Sequence, residues 1–446
     1  MIESIDRLLQ AAMQRAGVAG EVTDCTRLTG GATMESWHFW CGGGDFILRR
    51  APSIEFMRDR PFGHDTEAAI IRAANAAGVT APEVIAELEP KDGLGSGFIM
   101  RALPGTPDPR AILAMEEPRQ LLQEAARDLA IIHGLSKDAL PQQIPERSYS
   151  EMIEELVAQF EEAGGDRPII ALGLKWLRDN LPEPAKSVLN HGDFRLGNLL
   201  AEDSHITGVL DWELAHYSDF HEDLAFGCMP VWRFSRYDRP ALGLGSLEDY
   251  FTEYEAKSGR TVDPQRFRFW MIYRTVWWAL GCLRMAKIWR SGEDRMLERV
   301  VISRRTSEQE LDLLMLLEED APEEERQRSL EYHPDYGPEK GEADIAELAV
   351  AVSEWLTTMK EQFAGHDRFQ LAVALNALGI VERDRRCLNA SFFTNTLSEG
   401  ILSGKQTLAT DGLLARLRED ILDKLGIDSP KYPALAVARK KWTGED

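Results

Sequence analysis

The stretch His191-Gly192-Asp193-Phe194-Arg195-Leu196-Gly197-Asn198, followed by Asp211-Trp212-Glu213, constrains this chain more than any other part of it. The apolar runs Leu199-Leu200 and Ile206 to Leu210 read as short strands, so both polar stretches fall on loops at strand ends. Asp and Gly serve ordinary turns, and that alone could account for their presence. The same residues also supply hard oxygen donors, in Asn198 and Asp211, that suit Mg²⁺. Asp193 adds a carboxylate able to orient a hydroxyl and take its proton.

The interval from Asp193 to Asn198 matches the spacing in H-R-D-L-x-x-x-N, and Asp211 follows an apolar run as the aspartate of D-F-G does. Phosphoryl transfer needs a proton acceptor for the attacking hydroxyl and oxygen ligands for the metal bridging the phosphates, and little else covalent. At these residues the chain resembles the aminoglycoside phosphotransferase-like kinases, a group that includes choline and homoserine kinases and reads H-G-D-x-x-x-x-N. It is most similar to the branch associated with acyl-CoA dehydrogenases, which reads L-x-G-G-x-S, V-L-R-R, a Glu-bearing helix, H-G-D-x-R-x-G-N and D-W-E-x-A. The corresponding residues here are Leu28-Thr29-Gly30-Gly31-Ala32-Thr33, Ile47-Leu48-Arg49-Arg50, Glu67, the loop above and Asp211-Trp212-Glu213-Leu214-Ala215. The resemblance covers residues 1 to 320.

The resemblance implies an α+β, bilobal protein-kinase-like fold, with a small antiparallel β lobe and a helical large lobe. Asp193 would be the catalytic carboxylate, and Asn198 and Asp211 the Mg²⁺ ligands, with a loop cap as the other reading of Asn198. His191 would brace the loop. Gly30 and Gly31 would let backbone amides approach the phosphates of ATP, although a Gly pair also suits any hairpin. Arg49 stands where most kinases carry a Lys paired to a helix Glu, here Glu67, with Arg50 as competitor; Arg keeps the charge but presents a planar fork. Met100 and Ala102 would lie at the adenine hinge, Met100 serving equally as core. Glu213 would reach the metal's outer shell or pair with Arg195 or another loop residue, and Asp223 would hold loop backbone. The aromatic stretch around Trp232 and the helix bearing Trp270, Tyr273, Trp277 and Trp278 could shape an acceptor pocket, though such stripes are more often core.

With 446 residues, 44% of them apolar, the chain can bury a sizeable core. A net charge of −23 argues against a nucleic-acid or anionic-membrane partner, which would need Lys and Arg to neutralise phosphates. Five cysteines without metal-ligand spacing read as reduced thiols. The acidic start, Met1 to Asp6, lacks a secretory pattern, and the most apolar helix candidate, Phe269 to Met285, carries Arg274 in its middle. These features lead us to expect a cytoplasmic protein.

Helical periodicity in residues 1 to 17 precedes short runs separated by Gly30-Gly31 and Gly42-Gly43-Gly44, which read as antiparallel strands. We expect a kinase-like domain over 1–320, divided into a small lobe over 1–102 and a large lobe over 103–320. An acidic linker at 321–342, beginning beside Glu318-Glu319-Asp320, would lead to an all-α domain over 343–446. That C-terminal text resembles an uncharacterised helical domain fused to or encoded beside such kinases. The expected activity is transfer from ATP to a hydroxyl of a small molecule, a hydroxyacyl thioester by analogy with the branch. The alternatives are a nucleotide-binding regulatory or scaffold subunit of an acyl-CoA dehydrogenase, engaged through the helical domain as a protein partner, and an aminoglycoside-modifying kinase.

Overall fold

Alternating apolar residues near the N-terminus build one face of a sheet and leave the other face for charge. The computed structural model describes residues 5–28, 34–51, 57, 60–294, 296–330, 345–386 and 395–444. Its chain forms two compact units, Met1–Arg147 with Pro184–Phe267 and Ser148–Glu183 with Arg268–Asp446.

In the first unit, Ile5–Arg15 (α1) buries Leu9, Ala12 and Met13. Strands Val22–Arg27 (β1), Glu35–Cys41 (β2) and Gly44–Ala51 (β3) pair antiparallel. Phe46 and Leu48 of β3 share a core cluster with Leu9, Met13, Phe39 and Ile99, so α1 covers that face. Because successive strand residues point to opposite faces, Arg49 is turned to the other side. There it meets His64–Ala76 (α2), which buries Glu67 together with Ile70 and Ile71. Val84–Glu87 (β4) and Ser96–Arg101 (β5) complete an antiparallel sheet of order β1-β2-β3-β5-β4. The Gly30-Gly31 pair falls between β1 and β2 in sequence and lies outside the described residues.

Helices Pro109–Leu113 (α3) and Pro118–Ile132 (α4) follow, each with Pro in its first turn, where the missing N–H costs nothing. After Tyr149–Glu162 (α5) and Pro168–Asp179 (α6), which belong to the second unit, the chain returns in four short strands. Val188–Asn190 (β6) pairs with His216–Ser218 (β9), and Leu199–Glu202 (β7) with His205–Val209 (β8). Phe220–Phe226 (α7) starts at Asp219, whose carboxylate accepts the His221 N–H at 3.1 Å. Leu247–Ser258 (α8) starts at the Ser246 cap and is tied to α4 by Arg127–Glu253.

The second unit is all helical. Pro264–Ser291 (α9), whose first residues belong to the first unit, is followed by Leu297–Arg304 (α10), Thr306–Leu317 (α11) and Glu323–Arg326 (α12). Ile345–Thr358 (α13), Gly365–Arg386 (α14), Asn395–Leu402 (α15), Leu413–Asp428 (α16) and Pro433–Thr443 (α17) complete it. Trp270 is fully buried, edge-on to Tyr149, Phe269 and Tyr273, so this part of the aromatic helix is core.

The compact units do not follow the expected division at 321–342. The C-terminal helices pack with 148–183 and 268–330 as one unit, α15 on α6 and α16 on α11. Nor is the acidic stretch wholly solvated where it is described: Glu318 and Glu325 are buried, while Glu319, Asp320, Glu323 and Glu324 are exposed. A run of acids reads as solvated only while its partners are unknown. Here Arg418 reaches Glu318 at 2.8 Å, Lys441 also pairs with it, the Trp442 indole donates to it at 2.9 Å, and Arg328 pairs with Glu325 at 2.6 Å. Residues 331–344 lie outside the described residues.

Cys25, Cys41, Cys228 and Cys282 are free thiols, and burial pushes Cys228 and Cys282 up to about 12, so neither is a ready nucleophile. Among the described residues no helix is long and apolar enough to cross a membrane. Arg418 and Glu318 are nearly sealed from solvent, at 3% and 1% side-chain exposure. Arg418→Ala strands part of a buried charge and is expected to cost about 3 kcal/mol. Urea unfolding measures this, and a cost under about 0.5 kcal/mol, the size of an ordinary surface substitution, would show that the pair does not hold α16 in place.

Candidate functional site

The two short strand pairs of the first unit place the polar loops. The segment 191–198 joins β6 to β7, and 210–215 joins β8 to β9. Because β7 pairs with β8, Asn198 and Leu210 sit side by side at its end, and the Leu210 N–H donates to the Asn198 carbonyl at 2.8 Å. The start of one loop is likewise fixed beside the end of the other, through Asn190 opposite His216.

Inside the first loop Phe194 and Leu196 are fully buried, which leaves Asp193 and Arg195 as its polar face. His191 is buried against Trp212, with ring centroids 4.6 Å apart. Its Nδ1 accepts the Asp193 N–H at 3.2 Å, so its proton resides on Nε2 and is donated to the Leu210 carbonyl at 3.1 Å. Burial lowers its pKa, and the neutral ring is a brace between the loops. Gly192 has φ 82, and a Cβ there would lie 2.3 Å from the Leu214 carbonyl oxygen, so only glycine lets the loops approach this closely.

Asp223 of α7 holds the loop's backbone, accepting the N–H groups of His191 at 2.5 Å and Gly192 at 2.8 Å. His133, at the end of α4, reaches Asp223 at 3.3 Å and the Tyr254 hydroxyl at 2.8 Å. Burial by itself would raise the Asp223 carboxyl, but His133 and the backbone donors outweigh it and bring it down to about 2. Sequence reading did not single out His133. Its only signal is a His at the end of an amphipathic helix, which reads as core.

The Asp193 carboxylate receives the Asn198 amide at 2.6 Å and the Arg195 guanidinium at 2.7 Å. Arg195 in turn lies over the Trp232 ring at 4.2 Å. Burial pushes Asp193 up to about 6, with Arg195 and Asn198 opposing the rise. Arg195 and Trp232 thus form one side of the site. Arg195 pairs with Asp193, while Glu213, for which a pairing with Arg195 was one expectation, pairs with Arg49 and Arg60.

The sheet supplies a second cluster. Arg49 reaches Glu67 at 3.1 Å, Asp211 at 2.6 Å and Glu213 at 2.8 Å, and Arg60 also pairs with Glu213 at 2.8 Å. Arg50 instead pairs with Glu35 at 2.8 Å, which removes it as the competitor of Arg49. Burial drives Glu67 up to about 7 against the pull of Arg49. Three carboxyl groups, Glu67, Asp211 and Glu213, share the two guanidinium groups of Arg49 and Arg60. Asp211, at φ 67, presents one oxygen to Arg49, while its Oδ2 and the Asn198 Oδ1 accept no hydrogen bond among the described residues. Two such oxygens on adjoining loops, beside the carboxyl groups of Glu67 and Glu213, fit Mg²⁺. Among the described residues no group of three or more His, Cys, Asp or Glu side chains could hold a metal by itself, so waters and phosphate oxygens would complete the coordination.

Of the hinge residues, Met100 shares the sheet face of Arg49, since it opposes Ile47 in the β3–β5 register. The Ala102 N–H already donates to the Asp45 carbonyl at 2.9 Å, so an adenine contact at Ala102 would fall to its carbonyl.

Residues 24–269 match the phosphotransferase enzyme family. Acyl-CoA dehydrogenase family member 10 of Mus musculus is 28% identical over 250 residues, covering 50% of this chain and 23% of that protein. The Arabidopsis thaliana protein named "Probable acyl-CoA dehydrogenase IBR3" is 25% identical over 258 residues, covering 51% of this chain and 31% of its own. The chain therefore spans less than a third of either relative. A crystal structure of a candidate aminoglycoside phosphotransferase from Ralstonia eutropha JMP134 superposes with a TM-score of 0.58 at 19% identity, over 70% of this chain and 98% of that one. That likeness establishes the α+β, bilobal kinase-like fold. Since the family match runs unbroken over more than half of the sequence, from β1 into α9, the chain belongs to the phosphotransferase enzyme family.

Proposed function

We propose that the protein transfers the γ-phosphoryl group of ATP, with Mg²⁺, to a hydroxyl of a small molecule. The observation that carries this reading is the juxtaposition of Asp193, Asn198 and Asp211. Asn198 donates its amide to Asp193 while its backbone is hydrogen-bonded to the residue before Asp211. Asp193 would orient the acceptor hydroxyl and take its proton as the new bond to phosphorus forms. Asn198 and Asp211 would hold Mg²⁺, which when bound neutralises phosphate charge. Arg49, anchored by Glu67, would exchange part of its pairing with Asp211 and Glu213 for the phosphates. Met100 and the Ala102 carbonyl would line the adenine side, and Gly30 and Gly31 would supply phosphate-facing amides.

For the acceptor we infer a neutral or anionic molecule, a hydroxyacyl thioester, over an aminoglycoside. Arg195, fixed between Asp193 and Trp232, sets a cation where the acceptor must approach. Its guanidinium, stacked on Trp232, presents N–H donors to which a carbonyl or carboxylate of the acceptor would bind. The names of the curated relatives support the same class. They also favour an acyl-CoA dehydrogenase as a protein partner, for which α13 offers an exposed apolar stripe of Ile345, Leu348, Val352 and Trp355. These partners fit a cytoplasmic enzyme.

Asp193→Ala is expected to slow transfer by about 100- to 10,000-fold with nucleotide still bound. Asp211→Asn should raise the apparent KM for Mg-ATP by about tenfold, 1.4 kcal/mol. Steady-state assays with ATP, Mg²⁺ and hydroxyacyl thioesters, choline or aminoglycosides test both, and unchanged rates in both variants would sink the assignment.

The pH profile offers a second check. Asp193 works as the carboxylate, so the rate should fall as pH drops through about 6. Arg195 holds that pKa down, so Arg195→Gln should move the acid limb to higher pH; a shift in the other direction, or none, would contradict the assigned role.

A further inference from the structure

The second unit contains a cavity of about 730 Å³ between the end of α5, the later turns of α9, α10 and α16. No residue of the catalytic loop lines it. In a chain of net charge −23, its wall carries six cations, Arg167, Arg284, Lys287, Arg290, Arg304 and Lys424, against three acids, Glu162, Asp166 and Asp428.

The acids are already engaged. Lys287 pairs with Glu162, Arg304 and Lys424 with Asp428, and Arg167 with Asp166 at 3.8 Å. Glu162 attracts Arg284 at longer range, but neither Arg284 nor Arg290 forms an ion pair among the described residues. Both are exposed on α9 and both line the cavity. At 1.5 Å rise per residue, Arg284, Lys287 and Arg290 spread positive charge over about 9 Å of helix. That length suits two or three linked phosphates, and the guanidinium fork matches phosphate oxygens in pairs. Leu280 and Leu283 add an apolar patch to the same wall.

We propose that this cavity is a binding site for a small organic polyphosphate, distinct from the ATP site of the first unit. Its anionic end lies along Arg284, Lys287 and Arg290, and its carbon portion rests on Leu280 and Leu283. The volume is in the range of small-molecule sites, about 300–1,000 Å³.

Titration calorimetry of the full chain with inorganic pyrophosphate tests this. EDTA is present, so that no divalent cation can hold the probe at Asn198 and Asp211. The double variant Arg284→Gln/Arg290→Gln should bind at least tenfold more weakly than the wild type. Asp193→Ala should bind as the wild type does. Both arginines are exposed, and circular dichroism checks that the double variant remains folded. Equal affinity in wild type and double variant, or absence of pyrophosphate binding, would overturn the proposal. So would binding matched by sulfate and lost at about 0.15 M salt, the signature of diffuse attraction alone.

Discussion

The geometry of the loop 191–198 rests on one buried carboxylate. Asp223 lies at full burial yet stays ionised, because the backbone donors of His191 and Gly192 and the ring of His133 converge on it. A charge in that setting is expensive unless every lone pair is answered. Once answered, it fixes the geometry around it. The β6–β7 loop, α7 and α4 are joined at this point, and Tyr254 brings in α8 through the same histidine. Asp193 acquires a defined position as a result, its carboxylate held within the loop by Asn198 and Arg195.

The site is acidic on the sheet side and balanced on the loop side. Arg49 faces three carboxylates, one of them brought by α2 and two by the segment after β8. Asp193, by contrast, has a private cation in Arg195. In the proposed reading, the carboxyl groups beside Asp211 would receive a dication and Arg195 would face the acceptor.

Much of this was legible in the sequence where the chemistry needs residues close together along the chain. Asp193, Asn198 and Asp211 could be read because one loop and one strand pair carry all three. The Arg49–Glu67 pair was legible only through the family resemblance, which sets a strand cation against a helix Glu; the structure joins the two at 3.1 Å. Long-range partners were not legible. Nothing near Glu318 in sequence reveals Arg418, Lys441 and Trp442, so an acidic run that reads as linker is in part a buried anchor. His133 was missed for the same reason, since its partners come from α7 and α8. Glu213 was read as an outer-shell metal residue or a partner of Arg195 or another loop residue; Arg195 instead pairs within its own loop with Asp193, and Glu213 with Arg49 and Arg60.

The way the chain is divided between its two units has a consequence for how the protein is made. Each unit is assembled from two separate stretches, and residues 148–183 interrupt the first. During synthesis from the N-terminus, the five-stranded sheet has all its strands once Arg101 has emerged. The loop that bears Asp193, however, has to wait for β9 and α7, and the second unit for α16 and α17. A ribosome-bound chain thus carries a formed sheet beside unfinished helices for much of its elongation. At about 5–20 residues per second, that interval lasts many seconds.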